Sequence, residues 1–223
     1  MDKIISNYIK YKFIFSNNIN HSAYLYQKVF RSIYGYTQNV TKKDKKTYLY
    51  QRPGVLENIP YIKSGKNSIV IPIDMEHSII NFFNTGKSPI HNFREKGEWT
   101  IDYTIEKIEI NDTEIIRSID NYIDSLVIIS LDGSTKKLLD ELNKLILDSD
   151  YLLKYKKANK DNLTSKIRNI KNIDWIIKCK DKSDKIKQFL ELCNKINDLF
   201  YNSNKAEELK NKTAEIDLKE SID

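Results

Sequence analysis

The stretch from Ser22 to Gly54 constrains the fold most, because it holds a helix with both of its ends and then a hairpin. Ser22 is a residue type that caps helix N-termini, and Gly35 stands where a helix end favours a left-handed residue. Between them, apolar side chains recur at 3.6-residue spacing at Tyr26, Val29, Phe30 and Ile33. The pattern predicts an amphipathic helix whose opposite side carries Tyr24, Lys28 and Arg31.

The residues after Gly35 predict two strands joined by a basic turn. Residues 36–41 and 46–51 form the strands, and the turn consists of Lys42, Lys43, Asp44 and Lys45. The hairpin ends at Arg52-Pro53, because proline has no N–H to donate to a strand ladder. A helix followed by a basic-tipped hairpin is similar in order to the second half of a winged helix, where both elements contact DNA. The analogy covers that order alone, since only about twenty residues precede the helix.

Elsewhere in the first 147 residues, helix and strand patterns alternate. Residues 3–10 have helical spacing and are predicted as a helix, although Tyr11, Phe13 and Phe15 alternate as in a strand. Strands are predicted at 68–73, 99–110 and 126–131, and helices at 75–84 with Asp74 as cap, at 112–124 and at 135–147. This order favours mixed or parallel strand pairing. We therefore expect an α+β or mixed α/β fold, a small mixed sheet with flanking helices and a helical C-terminal region.

Past Asp150 the composition shifts toward lysine and asparagine. Residues 174–180 fit a strand or the end of a helix begun near Thr164, and the helix is preferred. Residues 183–200 have the apolar stripe of a well-patterned helix. The last segment has few apolar side chains among many charges, so we expect a frayed tail. The predicted organisation is an α+β domain at 1–131, a mainly helical region at 132–203 and a charged tail at 204–223.

Charge is distributed unevenly along the chain. Residues 1–53 hold ten Lys or Arg against two Asp, a net charge of +8, and residues 152–187 also reach +8. Residues 54–151 have a net charge of −7. A compositional bias toward lysine would raise every segment alike, so it does not explain this alternation. Two basic segments around an acidic one indicate a polyanionic partner, or attraction between parts of the protein itself.

The sequence contains no convincing catalytic, metal or cofactor motif. Residues 85–88 end like a P-loop, but Asn81 stands in place of its first glycine and Pro89 follows where a helix should begin. A turn and a helix cap explain residues 131–135. Two cysteines and three scattered histidines indicate buried thiols rather than a zinc site. A metal-dependent nuclease, kept as an alternative, would use Asp74, Glu98 and Asp102, although a solvated strand face also explains the last two.

Basic and aromatic residues interleave in the first 53 residues, which hold eleven aromatic side chains. Aromatic rings stack on bases, and Lys or Arg neutralise phosphates, so this mixture fits nucleic acid. The predicted function is non-enzymatic binding of DNA or RNA, or regulation, with no cofactor. The predicted contact residues are Tyr24, Lys28, Arg31, Tyr36, Lys42, Lys43, Lys45, Lys46, Tyr48 and Arg52.

Beside nucleic-acid binding and the nuclease, a protein-interaction function also stays open. A protein-interaction module or homo-oligomer would dock its basic regions on acidic surfaces, with the helix at 183–200 as its association surface.

No apolar run approaches the roughly 18 residues that a membrane span needs, and the N-terminal residues carry charge and tyrosine where a secretory signal has an apolar block. We therefore expect a cytoplasmic protein without a membrane partner.

Overall fold

In a computed structural model, the chain forms two compact units. The described residues are 2–15, 24–41, 43, 45–91, 93 and 99–201, and the side chains of Tyr48 and Leu49 are outside this description. The first unit contains residues 1–122 and 172–179, and the second contains residues 123–171 and those from 180 onward. The boundary predicted at residue 131 falls between the two strands of a hairpin in the second unit. The predicted tail at 204–223 lies outside the described residues.

The first unit is built on a four-stranded antiparallel sheet. The strands lie side by side in the order β4 (Ile62–Gly65), β5 (Ser68–Ile71), β1 (Lys3–Phe15) and β6 (Trp99–Asn111). Strand β1 is central and pairs along its whole length with β6, while Asn7 to Lys10 also pair with β5. The sheet therefore depends on β1, because two of the three strand pairings in the sheet involve it.

The helix predicted for residues 3–10 is wrong, since the segment is the first part of β1. Ile9, Tyr11 and Phe13 alternate and are buried on one face of the strand. Ile4 and Ser6 are also buried, but they have the opposite parity. The buried positions thus change from even to odd numbers between Ser6 and Asn7, and that change produces neighbouring buried residues that resemble helical spacing.

Two helices, α1 (Tyr24–Tyr34) and α2 (Glu76–Thr85), pack on the face of β1 that carries Tyr11 and Phe13. The ring centroid of Tyr11 lies 5.5 Å from that of Phe83 in α2, and Phe13 lies 5.7 Å from Phe30 in α1. Separations of this size are typical of favourable aromatic pairs. In α1, Val29 and Ile33 are fully buried, which confirms the predicted apolar stripe.

The predicted hairpin is confirmed to within one residue. Its strands are β2 (Tyr36–Thr41) and β3 (Thr47–Arg52), paired antiparallel with Tyr36 opposite Arg52. Gly35 separates α1 from β2 and has a φ of 72°, the left-handed conformation expected at a helix end. Helix α1 and the hairpin therefore follow each other without a loop between them.

The chain leaving β3 returns to the C-terminal end of α1. There the N–H groups of Val55 and Leu56 donate to the carbonyl oxygens of Ser32 and Ile33, each at 2.9 Å. These hydrogen bonds satisfy carbonyl groups that have no partner inside the helix. They also bring Gly54 into direct contact with the α1 end, so close that a Cβ on Gly54 would lie 2.2 Å from the backbone nitrogen of Gly35.

The remaining elements of this part of the chain largely match their predictions. All four residues of β5 are buried, β6 confirms the strand at 99–110, and α3 (Asp112–Ser125) confirms the helix at 112–124. Helix α2 ends as predicted at Gly86, which has a φ of 65°. Asp74 does not cap α2, because the N-cap position is held by Met75 and the Oδ2 atom of Asp74 instead accepts the N–H of Asp174 at 3.1 Å.

A short helix, α6 (Asp174–Cys179), completes the first unit from far along the sequence. Trp175 is fully buried, and its indole N–H donates to the Oγ atom of Ser6 in β1 at 3.0 Å. The preference for helix at 174–180 is confirmed, although the helix begins at Asp174 after a break and not near Thr164.

The second unit contains a short hairpin and three further helices within the described residues. These are β7 (Val127–Ile129), β8 (Thr135–Lys137), α4 (Leu138–Leu147), α5 (Ser149–Lys171) and α7 at 184–201. The prediction that a turn leads directly into a helix at Thr135 is wrong, because residues 135–137 first pair back on β7. The carboxylate of Glu141 is buried and accepts hydrogen bonds from the hydroxyls of Ser130 at 3.0 Å and Tyr151 at 2.5 Å.

The predicted α+β fold class is confirmed. Every strand pairing in the described part of the chain is antiparallel, so the expected mixed or parallel pairing is wrong. Short turns join β2 to β3, β4 to β5 and β7 to β8, and such turns connect only antiparallel neighbours. The winged-helix comparison also fails, because among the described residues a strand and not a pair of helices precedes α1. None of the described helices is long and apolar enough to cross a membrane.

The contact between Gly54 and the end of α1 leads to a stability prediction. We expect Gly54→Ala to lower the free energy of unfolding by about 3 kcal/mol or more, because its methyl group would meet backbone atoms of Ile33, Tyr34 and Gly35. Gly133→Ala is the control, since Gly133 has a φ of 75° but nothing within 4 Å of an added Cβ. It should cost only about 1–2 kcal/mol. Urea unfolding followed by circular dichroism measures both, and equal losses would contradict the close contact.

Candidate nucleic-acid interface

Four of the predicted contact residues line one groove in the first unit. The groove has a volume of about 460 Å³ and is lined by Tyr24, Lys28, Arg31, Tyr36, Thr37, Gln38, Asn39 and His91. The first three come from successive turns of α1, and the next four open β2 directly after Gly35. Because the left-handed Gly35 turns the chain at once, the start of β2 lies beside the polar side of the helix.

Aromatic rings hold the two cations of the groove. The Nζ atom of Lys28 lies 4.6 Å from the ring centroid of Phe93, and the guanidinium carbon of Arg31 lies 4.9 Å from that of Tyr36. Such contacts orient a positive charge without neutralising it. Stacking uses the flat face of the guanidinium group, so its N–H edge can still bind an anion. Among the described residues, neither Lys28 nor Arg31 forms an ion pair with a carboxylate.

The hairpin extends the polar wall of the groove. Its register places Arg52 opposite Tyr36 and Tyr50 opposite Gln38, and directly opposed residues share one face of a ribbon. Arg52 donates from Nε to the Oε1 atom of Gln38 in a long hydrogen bond of 3.4 Å, and its guanidinium carbon lies 5.6 Å from the ring centroid of Tyr50. This contact orients the side-chain amide of Gln38, whose NH₂ group is a hydrogen-bond donor at the groove.

The described lysines at the tip of the hairpin do not line the groove. Lys43, Lys45 and Lys46 are exposed, and Lys45 has a φ of 62°, which is uncommon for a residue other than glycine. Lys42 and the side chain of Tyr48 lie outside the described residues. The structure thus brings together Tyr24, Lys28, Arg31 and Tyr36, with Arg52 adjacent, and Lys43, Lys45 and Lys46 are not among the residues that line the groove.

The sequence interpretation missed His91. The backbone N–H of His91 donates to the Oγ atom of Ser88 at 3.0 Å, and the backbone N–H of Ser88 donates to the carbonyl oxygen of His91 at 2.8 Å. The next described residue, Phe93, is buried with its ring centroid 5.9 Å from that of His91. Phe93 therefore anchors the loop in the core and holds both Lys28 and His91. No sequence pattern links His91 to a helix sixty residues earlier, so only packing reveals it.

The electrostatic surroundings of His91 favour its neutral form. Partial burial lowers the pKa of its imidazole, and the positive charges of Lys28 and Arg31 lower it further. Tyr24 and Tyr36 are the remaining titratable side chains along the groove. Lys28, Arg31 and His91 thus form a cluster of two permanent cations and one group that can become a third.

Asp74 and Asp102, two of the three carboxylates considered for a nuclease, lie far apart. Asp74 follows Ile73, whose carbonyl accepts a hydrogen bond from Asn7, whereas Asp102 lies opposite Lys12. Asn7 and Lys12 are five positions apart on β1, which corresponds to about 17 Å. Glu98 lies outside the described residues, and within them no group of three His, Cys, Asp or Glu side chains could hold a metal ion.

Two further predictions concern the cysteines and the last helix. Cys179 and Cys193 are buried free thiols, as predicted. The helix at 183–200 was predicted as an association surface, and its apolar stripe is buried within the chain at Ile186, Phe189, Cys193, Ile196 and Phe200. Association through this helix would therefore have to use its other residues, and it stays a prediction.

The groove has the donors and rings needed to hold an anionic ligand with a planar group. Its cations can bind phosphate oxygens, its amides can bind polar edges, and Tyr24, which is 72% exposed, can stack on a flat ring.

Comparisons of the chain with protein-family models, with curated proteins and with solved structures found no match.

The charge cluster predicts a coupling that NMR can measure. We expect Lys28→Gln to raise the pKa of His91, because it removes one of the two positive charges that disfavour the imidazolium. A titration of the imidazole proton signals against pH gives the value, and His91→Gln identifies the signal. Lys107→Gln, which removes an exposed charge on β6, is the matched control and should leave the pKa of His91 where it is in the wild type. An unchanged pKa in Lys28→Gln would contradict the described geometry.

Proposed function

We propose that the protein binds single-stranded nucleic acid through the groove between α1 and β2. The observation that carries this proposal is the convergence of Tyr24, Lys28 and Arg31 with Tyr36 and two amide side chains on one 460 Å³ groove. Cations beside exposed aromatic rings are the combination that single strands need, since the backbone is anionic and each base has a face for stacking.

The size of the groove favours an unpaired strand over a duplex. A volume of 460 Å³ falls within the range of small-ligand sites, about 300–1,000 Å³, and suits a nucleotide rather than a helix of DNA. Bases of a single strand are also free to turn outward and meet side chains on their polar edges. Gln38 and Asn39 would serve there, because an amide has both donors and an acceptor.

In this arrangement each groove residue has a distinct role. Lys28 and Arg31 bind phosphate oxygens, held in place by Phe93 and Tyr36. Tyr24 stacks on a base. The exposed Lys43 and Lys45 and the adjacent Arg52 provide weaker contacts along the continuing backbone. The proposal involves no catalytic step and needs no cofactor.

Binding of a labelled twelve-nucleotide strand, followed by fluorescence anisotropy, tests the proposal. We expect affinity to fall roughly tenfold or more over a fourfold rise in salt, because phosphate contacts release counterions. Lys28→Gln and Arg31→Gln should each reduce the slope of log affinity against log salt by about 0.7. Tyr24→Ala should weaken binding about tenfold with the slope unchanged, since stacking is not an ionic contact.

Matched controls separate this result from general attraction to a basic protein. Lys107→Gln removes the same charge from an exposed position of β6 and should leave both affinity and slope nearly unaltered. A duplex of the same sequence should bind more weakly than the single strand. Binding that is absent, insensitive to salt, or equal in wild type and the Lys28→Gln/Arg31→Gln double variant rejects the proposal. In that case the protein-interaction alternative stays, and sedimentation of the protein alone tests it.

A further inference from the structure

His91 lies in the groove beside two permanent cations and yet has no acidic partner among the described residues. Its loop is fixed by the paired hydrogen bonds between Ser88 and His91 and by the burial of Phe93. The imidazole is therefore held near Lys28 and Arg31 even though their charges repel its protonated form. An anion between the three groups would reverse that repulsion.

We infer that the groove is a phosphate site in which His91 becomes the third cation when the anion binds, so that binding takes up a proton. The inference rests on the proposed function for the identity of the anion, a phosphate of a nucleic-acid strand. It adds a regulation that the proposed function does not contain, namely that proton concentration controls the affinity of the groove.

The sign of the effect follows from linkage. In the free groove, burial and the charges of Lys28 and Arg31 keep His91 neutral to lower pH than an ordinary histidine. A bound phosphate offsets both charges and offers the imidazolium an acceptor, so His91 is protonated at higher pH in the complex. Between these two pH values the complex holds one more proton than the free protein, and affinity rises as the pH falls by up to about tenfold per pH unit. Above and below this window the affinity is constant with respect to His91.

The first test uses sulfate, a dianion throughout the working pH range that serves as a simple phosphate analogue. The imidazole proton signal of His91 is titrated in sodium sulfate and in sodium chloride of equal ionic strength, with His91→Gln to identify it. We expect the pKa of His91 to be higher in sulfate than in chloride. The same titration midpoint in both salts overturns the inference, whether or not a nucleic-acid strand binds.

The second test compares strand affinity between pH 8 and pH 5.5 in three proteins. Wild type should bind more tightly at low pH, by about tenfold per unit at the steepest point. His91→Gln should bind with an affinity that is nearly flat over this range, whereas His91→Lys should bind tightly at every pH because its charge is permanent. A pH dependence that persists in His91→Gln overturns the inference. A sulfate effect on His91 without any strand binding supports the phosphate site and rejects nucleic acid as its ligand.

Discussion

The groove depends on one steric constraint, the direct contact between the backbones of Gly35 and Gly54, neither of which has a Cβ atom. At the end of α1, unsatisfied carbonyls need donors, and the N–H groups of Val55 and Leu56 reach them only because Gly54 lies directly against Gly35. Each of these hydrogen bonds contributes about 1 kcal/mol, but their larger effect is geometric. They fix where β3 ends relative to α1, and the pairing of β3 with β2 then fixes Tyr36 beside Arg31. The angle between the helix and the ribbon is thus set by residues that do not themselves line the groove.

Electrostatics at the groove follow from what surrounds each cation. Lys28 and Arg31 are oriented by the faces of Phe93 and Tyr36, so their charge is positioned but not cancelled. A carboxylate in the same place would hold them as firmly and would also remove their attraction for an anion. His91 shows the effect of this arrangement, because the positive charges of Lys28 and Arg31 stabilise its neutral form, and the same charges would attract phosphate in the function that we propose.

Sequence patterns predicted the local elements well and the long-range contacts poorly. The helix at α1, its glycine stop and the hairpin were all predictable, because each depends on residues within a few positions of one another. The N-terminal strand was not, since its burial is decided by β5, β6 and the distant Trp175, and its change of buried face resembles a helix. The same difference between local and long-range contacts explains which residues of the groove could be predicted. Tyr24, Lys28, Arg31 and Tyr36 come from one continuous stretch, whereas His91 reaches the groove through the burial of Phe93, which no local pattern records.

The central position of β1 has a consequence for synthesis of the chain on the ribosome. Ile9 pairs with Ile105, so β1 is without its longest partner until almost a hundred further residues have been added. At about 5–20 residues per second, that interval is roughly 5–20 s. The hydrogen bond from the indole of Trp175 to Ser6 requires a still longer segment to be made first. Until β5 and then β6 have been made, the nascent chain exposes apolar residues of β1 that later pair in the sheet, and it therefore has the features of a substrate for chaperones that shield such segments.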